Sequence, residues 1–134
     1  MHILLVEDDD FLRRSYEMIL KAWGHSIETA EHGQQATAAF TESDRTFDVV
    51  ITDRNMPGMD GIELLSWLAG TADKPPPTLL HSSDDHAAIR RADGWHTIDL
   101  SQINTFFPFA RFHRKDGSNE YIADFLSEIE RSAT

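Results

Sequence analysis

Short apolar runs alternate with amphipathic stretches from the first residues onward. Ile3-Leu4-Leu5-Val6 has the length of a buried strand and ends abruptly in Glu7-Asp8-Asp9-Asp10. Leu12, Tyr16, Ile19, Leu20 and Trp23 then share one face of a helix, with Asp9 or Asp10 placed to cap its first amides and Gly24 placed to stop it. Ser26–Ala30 reads as a second strand, and Ala36, Ala39 and Phe40 mark a small-residue helix face. Phe47–Thr52 is a third strand ending at Asp53, followed by the turn Asn55-Met56-Pro57-Gly58-Met59. Ile62, Leu65 and Leu68 line the next helix, which Asp60 can cap, and Thr78–Ser82 is a fourth strand.

Beyond that point the pattern weakens. A short polar helix is expected around Asp84–Asp93, and both Trp95–Leu100 and Ile103–Phe107 read as strands. Asp116-Gly117 signals a turn, and Ile122, Phe125, Leu126 and Ile129 give a final amphipathic helix. Five strands alternating with five helices predict an α/β fold with a doubly wound parallel sheet covered on both faces. Function in such sheets gathers at the carboxyl ends of the strands. The strand ends here carry Glu7 and Asp8, then Asp53, then Ser82.

Composition narrows the chemistry. The 134 residues suit one domain, spanning 1–134. The net charge of −11 argues against a protein that grips nucleic acid directly, and the absence of Cys excludes disulfides and thiolate metal sites. No apolar run approaches a membrane span, and the acidic N-terminus is unlike a signal peptide, so a cytoplasmic protein is expected. The seven His are scattered without a zinc-type pair; His81, beside Ser82, is the one close to the strand ends.

Converging carboxylates repel one another, and a hard divalent cation keeps them ionised. Mg²⁺ suits oxygen ligands from a few carboxylates plus water. Asp8 and Asp53 come from the ends of adjacent strands, and the backbone carbonyl of Asn55 is near in sequence. Asp9 and Asp10 are read as solvated turn and capping residues. Phosphoryl transfer to a carboxylate is one reaction this set supports, with Asp53 as acceptor and the Ser82 hydroxyl as donor to a phosphoryl oxygen. A capping role for Ser82 ahead of Asp84-Asp85 explains its position nearly as well.

Two blocks carry a resemblance. Leu4-Leu5-Val6-Glu7-Asp8 and the run from Phe47 through Asp53-Arg54-Asn55-Met56-Pro57-Gly58-Met59-Asp60-Gly61 resemble the receiver domain of two-component response regulators. The likeness is strong to about residue 83 and poor afterwards. It implies a flavodoxin-like (βα)5 fold of strand order 2-1-3-4-5. Asp53 would take a phosphoryl group from a histidine kinase or phosphotransfer protein and alter binding of a downstream protein. Asp8, Asp53 and the Asn55 carbonyl would ligate Mg²⁺, with Glu7 acting through water. Ser82 matches the switch Ser/Thr, and Arg54 and Asp84 match variable positions that tune phosphoryl lifetime.

The family also has a Lys followed by Pro, usually cis, at the end of the fifth strand. Here Phe106-Phe107-Pro108-Phe109 is the nearest match, which puts Phe107 at the Lys position, makes Pro108 a candidate cis proline and sets the family's aromatic switch position near Asn104. A lost Lys is the preferred reading; a rebuilt region in which Arg111, Arg114 or Lys115 reaches back is the other. An outward Phe109 or Phe112 would belong to a partner or dimer surface. The rivals are a pseudo-receiver that works without phosphorylation and a Mg²⁺-dependent phosphatase. Asn55 stands where the phosphatase would need an acid. The leading expectation is a signalling switch rather than an enzyme.

Overall fold

The computed structural model describes residues 1–132. Its first part follows the apolar pattern closely. The strands are β1 (His2–Val6), β2 (Ser26–Ala30), β3 (Val49–Asp53) and β4 (Thr78–Ser82). Between them run the helices α1 (Asp10–Ala22), α2 (Gly33–Glu42) and α3 (Gly61–Thr71). Asp9 caps α1 by accepting from the Leu12 amide at 2.9 Å, and Asp60 caps α3 by accepting from Glu63 at 2.8 Å.

The chain then departs from expectation. The segment expected as a polar helix is strand β5 (His86–Arg91), paired antiparallel with β6 (Gly94–Asp99) in a separate two-stranded hairpin. The turn residues lead into Gly94 at φ +120, a conformation that glycine adopts without a Cβ penalty. A 3₁₀ turn (Leu100–Gln102) and the short helix α4 (Ile103–Phe106) follow, so the Ile103–Phe107 strand is corrected to a helical turn. Strand β7 (Ala110–Arg114) and helix α5 (Glu120–Ser132) end the described chain.

The main sheet is five-stranded and parallel, in the order β2-β1-β3-β4-β7. It is the expected doubly wound arrangement, with a hairpin and α4 occupying the fourth crossover. Alternate residues of each strand serve opposite faces. Ile3, Leu5, Ile51 and Leu79 pack against Tyr16 and Leu20 of α1 and Ile122 and Leu126 of α5. Leu4, Val6 and Val50 pack against Ala36 of α2 and Leu64 and Leu68 of α3. A third cluster joins Leu65 and Leu80 to Ala87 of the hairpin, Leu100, Ile103 and Ala110.

Gly61 locks α3 against the sheet. Its amide donates to the Arg54 carbonyl at 2.9 Å, and a Cβ there would stand 2.4 Å from the Asp53 carbonyl oxygen and 2.7 Å from Leu80 Cδ1. The obstructing atom is backbone, so it cannot swing aside. Gly61→Ala is expected to destabilise the fold by about 1–3 kcal/mol despite alanine's better helix propensity. Urea unfolding of the two proteins checks this.

Candidate functional site

Strand register assembles the site. Val6 is level with Thr52, Asp53 with His81, and Ser82 with Arg114. Glu7, Asp53, Ser82 and Lys115 therefore emerge together at the carboxyl edge of four neighbouring strands. Ligand oxygens of Glu7, Asp8 and Asp53 all lie within 4.8 Å of one another. Glu7 is fully buried, Asp53 is 6% exposed and Asp8 is open to solvent. Asp8 also lines a shallow cleft with Asn55, Met56, Pro57, Gly58 and Asp60.

The cation beside these acids is Lys115. Its Nζ donates to Glu7 Oε1 at 3.0 Å and sits 3.3 Å from Asp53 Oδ1. This corrects the assignment of the lysine position to Phe107. Phe107 follows α4 and packs with the third core cluster, its ring set edge-on to Phe109 with centroids 6.1 Å apart. The true fifth strand begins after Phe109. The pairing of Arg114 with Ser82, and the Lys115 amide donating to the Ser82 carbonyl at 2.8 Å, carry the chain to the acidic edge. No peptide bond among the described residues is cis, so the cis assignment of Pro108 is also corrected, and Asp116 rather than Pro follows the lysine.

The aromatic run misled because β7 is an edge strand. Ala-Arg-Phe-His-Arg exposes every second residue or more, whereas the Phe-rich segment before it has the apolar look of a strand. The readable signal was the lone Lys between a short alternating segment and the Asp116-Gly117 turn. Phe109 and Phe112 are half-buried and packed against the core, so the exposed aromatics of this region are Trp95 and Phe106.

Ser82 is fully buried and its Oγ accepts from the Asp84 amide at 3.1 Å, so the capping geometry is present and the hydroxyl proton is not used in that bond. Arg54 and Asp84 meet at the rim, 3.3 Å apart, while Arg54 Nε is buried without a partner. His81 fills space between Tyr16 and Tyr121, with Nδ1 2.8 Å from the Tyr121 hydroxyl. Burial, with Lys115 second, pushes its pKa down to about 3 and keeps it neutral.

Electrostatics favour a cation here. Burial first, and the Asp53 carboxylate next, push the Glu7 carboxyl up to about 8; Lys115 offsets only part of this. Burial alone would lower the Lys115 ammonium, but Asp53 and Glu7 outweigh it and hold its pKa above the ordinary value. One ammonium thus serves two buried carboxylates, with a third carboxylate exposed beside them. The donor set is all oxygen, accessible from the Asp8 side, and carries an excess of negative charge. It fits Mg²⁺.

The chain is similar to known proteins in sequence and in fold. The response regulator receiver domain family matches residues 3–94. A two-component response regulator of Arabidopsis thaliana is 36% identical over 62 residues, 46% of this chain and 44% of that protein. The regulatory protein VanRB of Enterococcus faecalis is 34% identical over 93 residues, 69% of this chain and 41% of its own length. The chain thus spans less than half the length of these relatives. Among solved structures, the Vibrio cholerae chemotaxis protein CheY4 aligns with a TM-score of 0.73 at 23% identity, over 96% of this chain and 97% of that one. The Thermotoga maritima response regulator TrrA, solved in complex with Mg²⁺-BeF, aligns with a TM-score of 0.72 at 21% identity, over 96% and 97%. These likenesses establish the fold.

The Glu7 carboxyl generates a pH dependence. Its folded pKa of about 8 lies above the ordinary 4.5, so the folded state binds more protons between those values. Its contribution to stability is complete below the lower value and is lost as pH rises through the upper one. In chelator, stability is expected to fall from about pH 4.5 to about pH 8, with a slope approaching ~1.4 kcal/mol per pH unit at its steepest. Glu7→Gln is expected to flatten that decline in urea titrations run across the range.

Proposed function

Since the chain belongs to the response regulator receiver domain family, we propose that it is a phosphorylation-controlled switch whose acceptor is Asp53. Receiver domains act as signalling switches in two-component systems, receiving phosphoryl groups from histidine kinases or phosphotransfer proteins. The observation that carries the proposal for this chain is Lys115, held between Glu7 and Asp53 at 3.0 and 3.3 Å with Asp8 open beside them.

In the proposed reaction an Asp53 carboxylate oxygen attacks phosphorus in a phosphohistidine. The P–O bond forms as the P–N bond breaks, and the imidazole nitrogen leaves with the electron pair. Asp8, Asp53 and the Asn55 carbonyl would hold Mg²⁺, with Glu7 as the outer acid of the set. The ion, when bound, neutralises charge on the transferring phosphoryl oxygens. Asp53 lies at the end of a rigid strand, which fixes the attacking oxygen. Lys115 is already in contact with that carboxylate and exchanges part of its ion pairing for a phosphoryl oxygen. The Ser82 hydroxyl donates to another oxygen.

The product adds ~1.5–2 negative charges to a site with one ammonium. The balance of these contacts then shifts a pre-existing equilibrium between two states, and a downstream protein reads the shift. Arg54 and Asp84, paired across the rim, control access of water to the acyl phosphate. Counting back from Lys115 puts Phe112 rather than Asn104 at the family's aromatic switch position. The proposal places the protein in the cytoplasm and reads residues 1–134 as a single receiver unit. Among the described residues no helix is long and apolar enough to cross a membrane.

The pseudo-receiver reading drew its support from an absent lysine, and Lys115 withdraws that support. The phosphatase reading gains nothing from Asn55, whose carboxamide does not ionise and so cannot serve as a general acid or base.

With acetyl phosphate and Mg²⁺, the wild-type chain is expected to gain one phosphoryl group by intact-mass measurement, and Asp53→Asn none. Continued labelling of Asp53→Asn would overturn the acceptor assignment. Lys115→Ala removes a charge-assisted contact to the group in flight, so labelling is expected to slow by roughly 10–100-fold. Stopped-flow fluorescence or time-resolved mass measurement reads the difference.

A further inference from the structure

Beside the acidic edge lies a polar cluster that the proposed transfer step does not use. Asp53, His81 and His113 are level on β3, β4 and β7, so their side chains share the face covered by α1 and α5. Tyr121, in the first turn of α5, touches two of these at once. Its hydroxyl lies 2.8 Å from His81 Nδ1, and its ring lies flat on the His113 ring, with centroids 4.2 Å apart and planes 5° apart. His81 is fully buried and its Nε2 has no hydrogen-bond partner among the described residues, so the Tyr121 hydroxyl is what satisfies the ring. His113 Nδ1 in turn donates to the Arg114 carbonyl at 2.6 Å.

The strand gripped in this way is the one that needs a second attachment. β7 ends the main sheet and pairs with β4 alone. Lys115 follows it directly, and a lysine reaches its target through a long flexible stem. Yet its Nζ is held 3.0 Å from Glu7 and 3.3 Å from Asp53. Tyr121 supplies the missing constraint from the α5 side. Its ring presses on His113, whose imidazole holds the Arg114 carbonyl one residue before Lys115. Its hydroxyl holds His81, the register partner of Asp53 and the residue before Ser82. Apolar rings would fill the same space without the cost of burying polar atoms, so what the His–Tyr pair adds is a fixed distance between two strands.

We propose that Tyr121 is a positioning residue for phosphoryl transfer to Asp53. It ties β7 to β4 at the level of the acceptor and so holds the Lys115 ammonium against the carboxylate that reacts. It touches no reacting atom and acts through Lys115. The inference rests on the reading of Asp53 as acceptor and adds to it the residue that sets the lysine in place. A displacement of about 1 Å at such a group costs up to roughly 100-fold in rate.

The test times labelling of the full chain by acetyl phosphate with Mg²⁺. Urea unfolding of each variant gives its folded fraction, so rates are compared per folded molecule. Tyr121→Leu loses both contacts and is expected to slow labelling by roughly tenfold. Tyr121→Phe keeps the stack, loses only the hydroxyl and is expected to slow it by less. In the Lys115→Ala background, Tyr121→Leu should change the rate by less than about twofold, because residues acting through one group do not add. The carboxyl ¹³C resonances of Glu7 and Asp53, recorded without phosphate, should shift in both Tyr121 variants. Mg²⁺ affinity, read by titrating those resonances, should be unchanged or tighter, since the lysine competes with the ion for the same carboxylates. Should Tyr121→Leu fail to fold, Tyr121→Phe carries the comparison in both backgrounds. Wild-type labelling rates in the Tyr121 variants, equal slowing with and without Lys115, or weakened Mg²⁺ binding would each overturn the inference and leave the acceptor reading standing. Labelling of Asp53→Asn would overturn the acceptor reading, and the inference with it.

Discussion

Two carboxylates cannot both stay ionised side by side in a protein interior without a positive charge between them, and the architecture of this protein revolves around that constraint. Glu7 is wholly enclosed and Asp53 nearly so. In water their repulsion would be modest, but in a protein interior it is large enough to hold a proton on one of them. Lys115 is the partial answer, shared between both. Because it is only partial, the edge remains electrostatically under-compensated. That imbalance suits the edge to a divalent cation. A surface version of the same cluster would be relaxed by solvent and would respond weakly to either.

Holding the three groups together requires the sheet to be in register across four strands. Each residue involved lies at or just beyond a strand end, where backbone pairing is strongest on one side and the side chain is released on the other. Gly61 serves the same purpose from the α3 side, since its missing side chain allows the helix to press directly onto the Asp53 carbonyl. The helices on one face and the mixed layer on the other cover the strands below the site, leaving Asp8 as its exposed carboxylate and Lys115 partly open.

How much of this could be read from the residues depended on burial. Strands enclosed on both faces announce themselves as apolar runs, so β1, β3 and β4 and their acidic or hydroxyl ends were legible, as was the order of the sheet once the family resemblance was seen. The edge strand β7 does not. Strand β7 has one paired side and a polar outer surface, and its Ala-Arg-Phe-His-Arg sequence carries less apolar signal than the Phe-rich turn preceding it. The register error displaced the lysine position by eight residues, from Phe107 to Lys115. The hairpin was obscured for a related reason. Ala and Arg dominate β5 and favour helices in isolation, while the Asp93-Gly94 pair, a common turn signal, lay between two segments assigned to different elements. Tertiary pairing overrode local propensity there.

The route from β4 to β7 has a further meaning. Lys115 is positioned by the pairing that runs from Thr78 against Ala110 to Ser82 against Arg114, and by the Thr78 amide donating to the Phe109 carbonyl at 2.9 Å. The intervening chain contributes a cover for one face but none of the atoms around the carboxylates. The crossover is therefore a replaceable module. Its length and even its secondary structure can diverge while the chemistry at the sheet edge is conserved by register alone. Here that latitude has been spent on a hairpin, and the same latitude makes residues 86–109 the natural place to graft a new recognition element while Asp84 and the acidic edge stay unaltered.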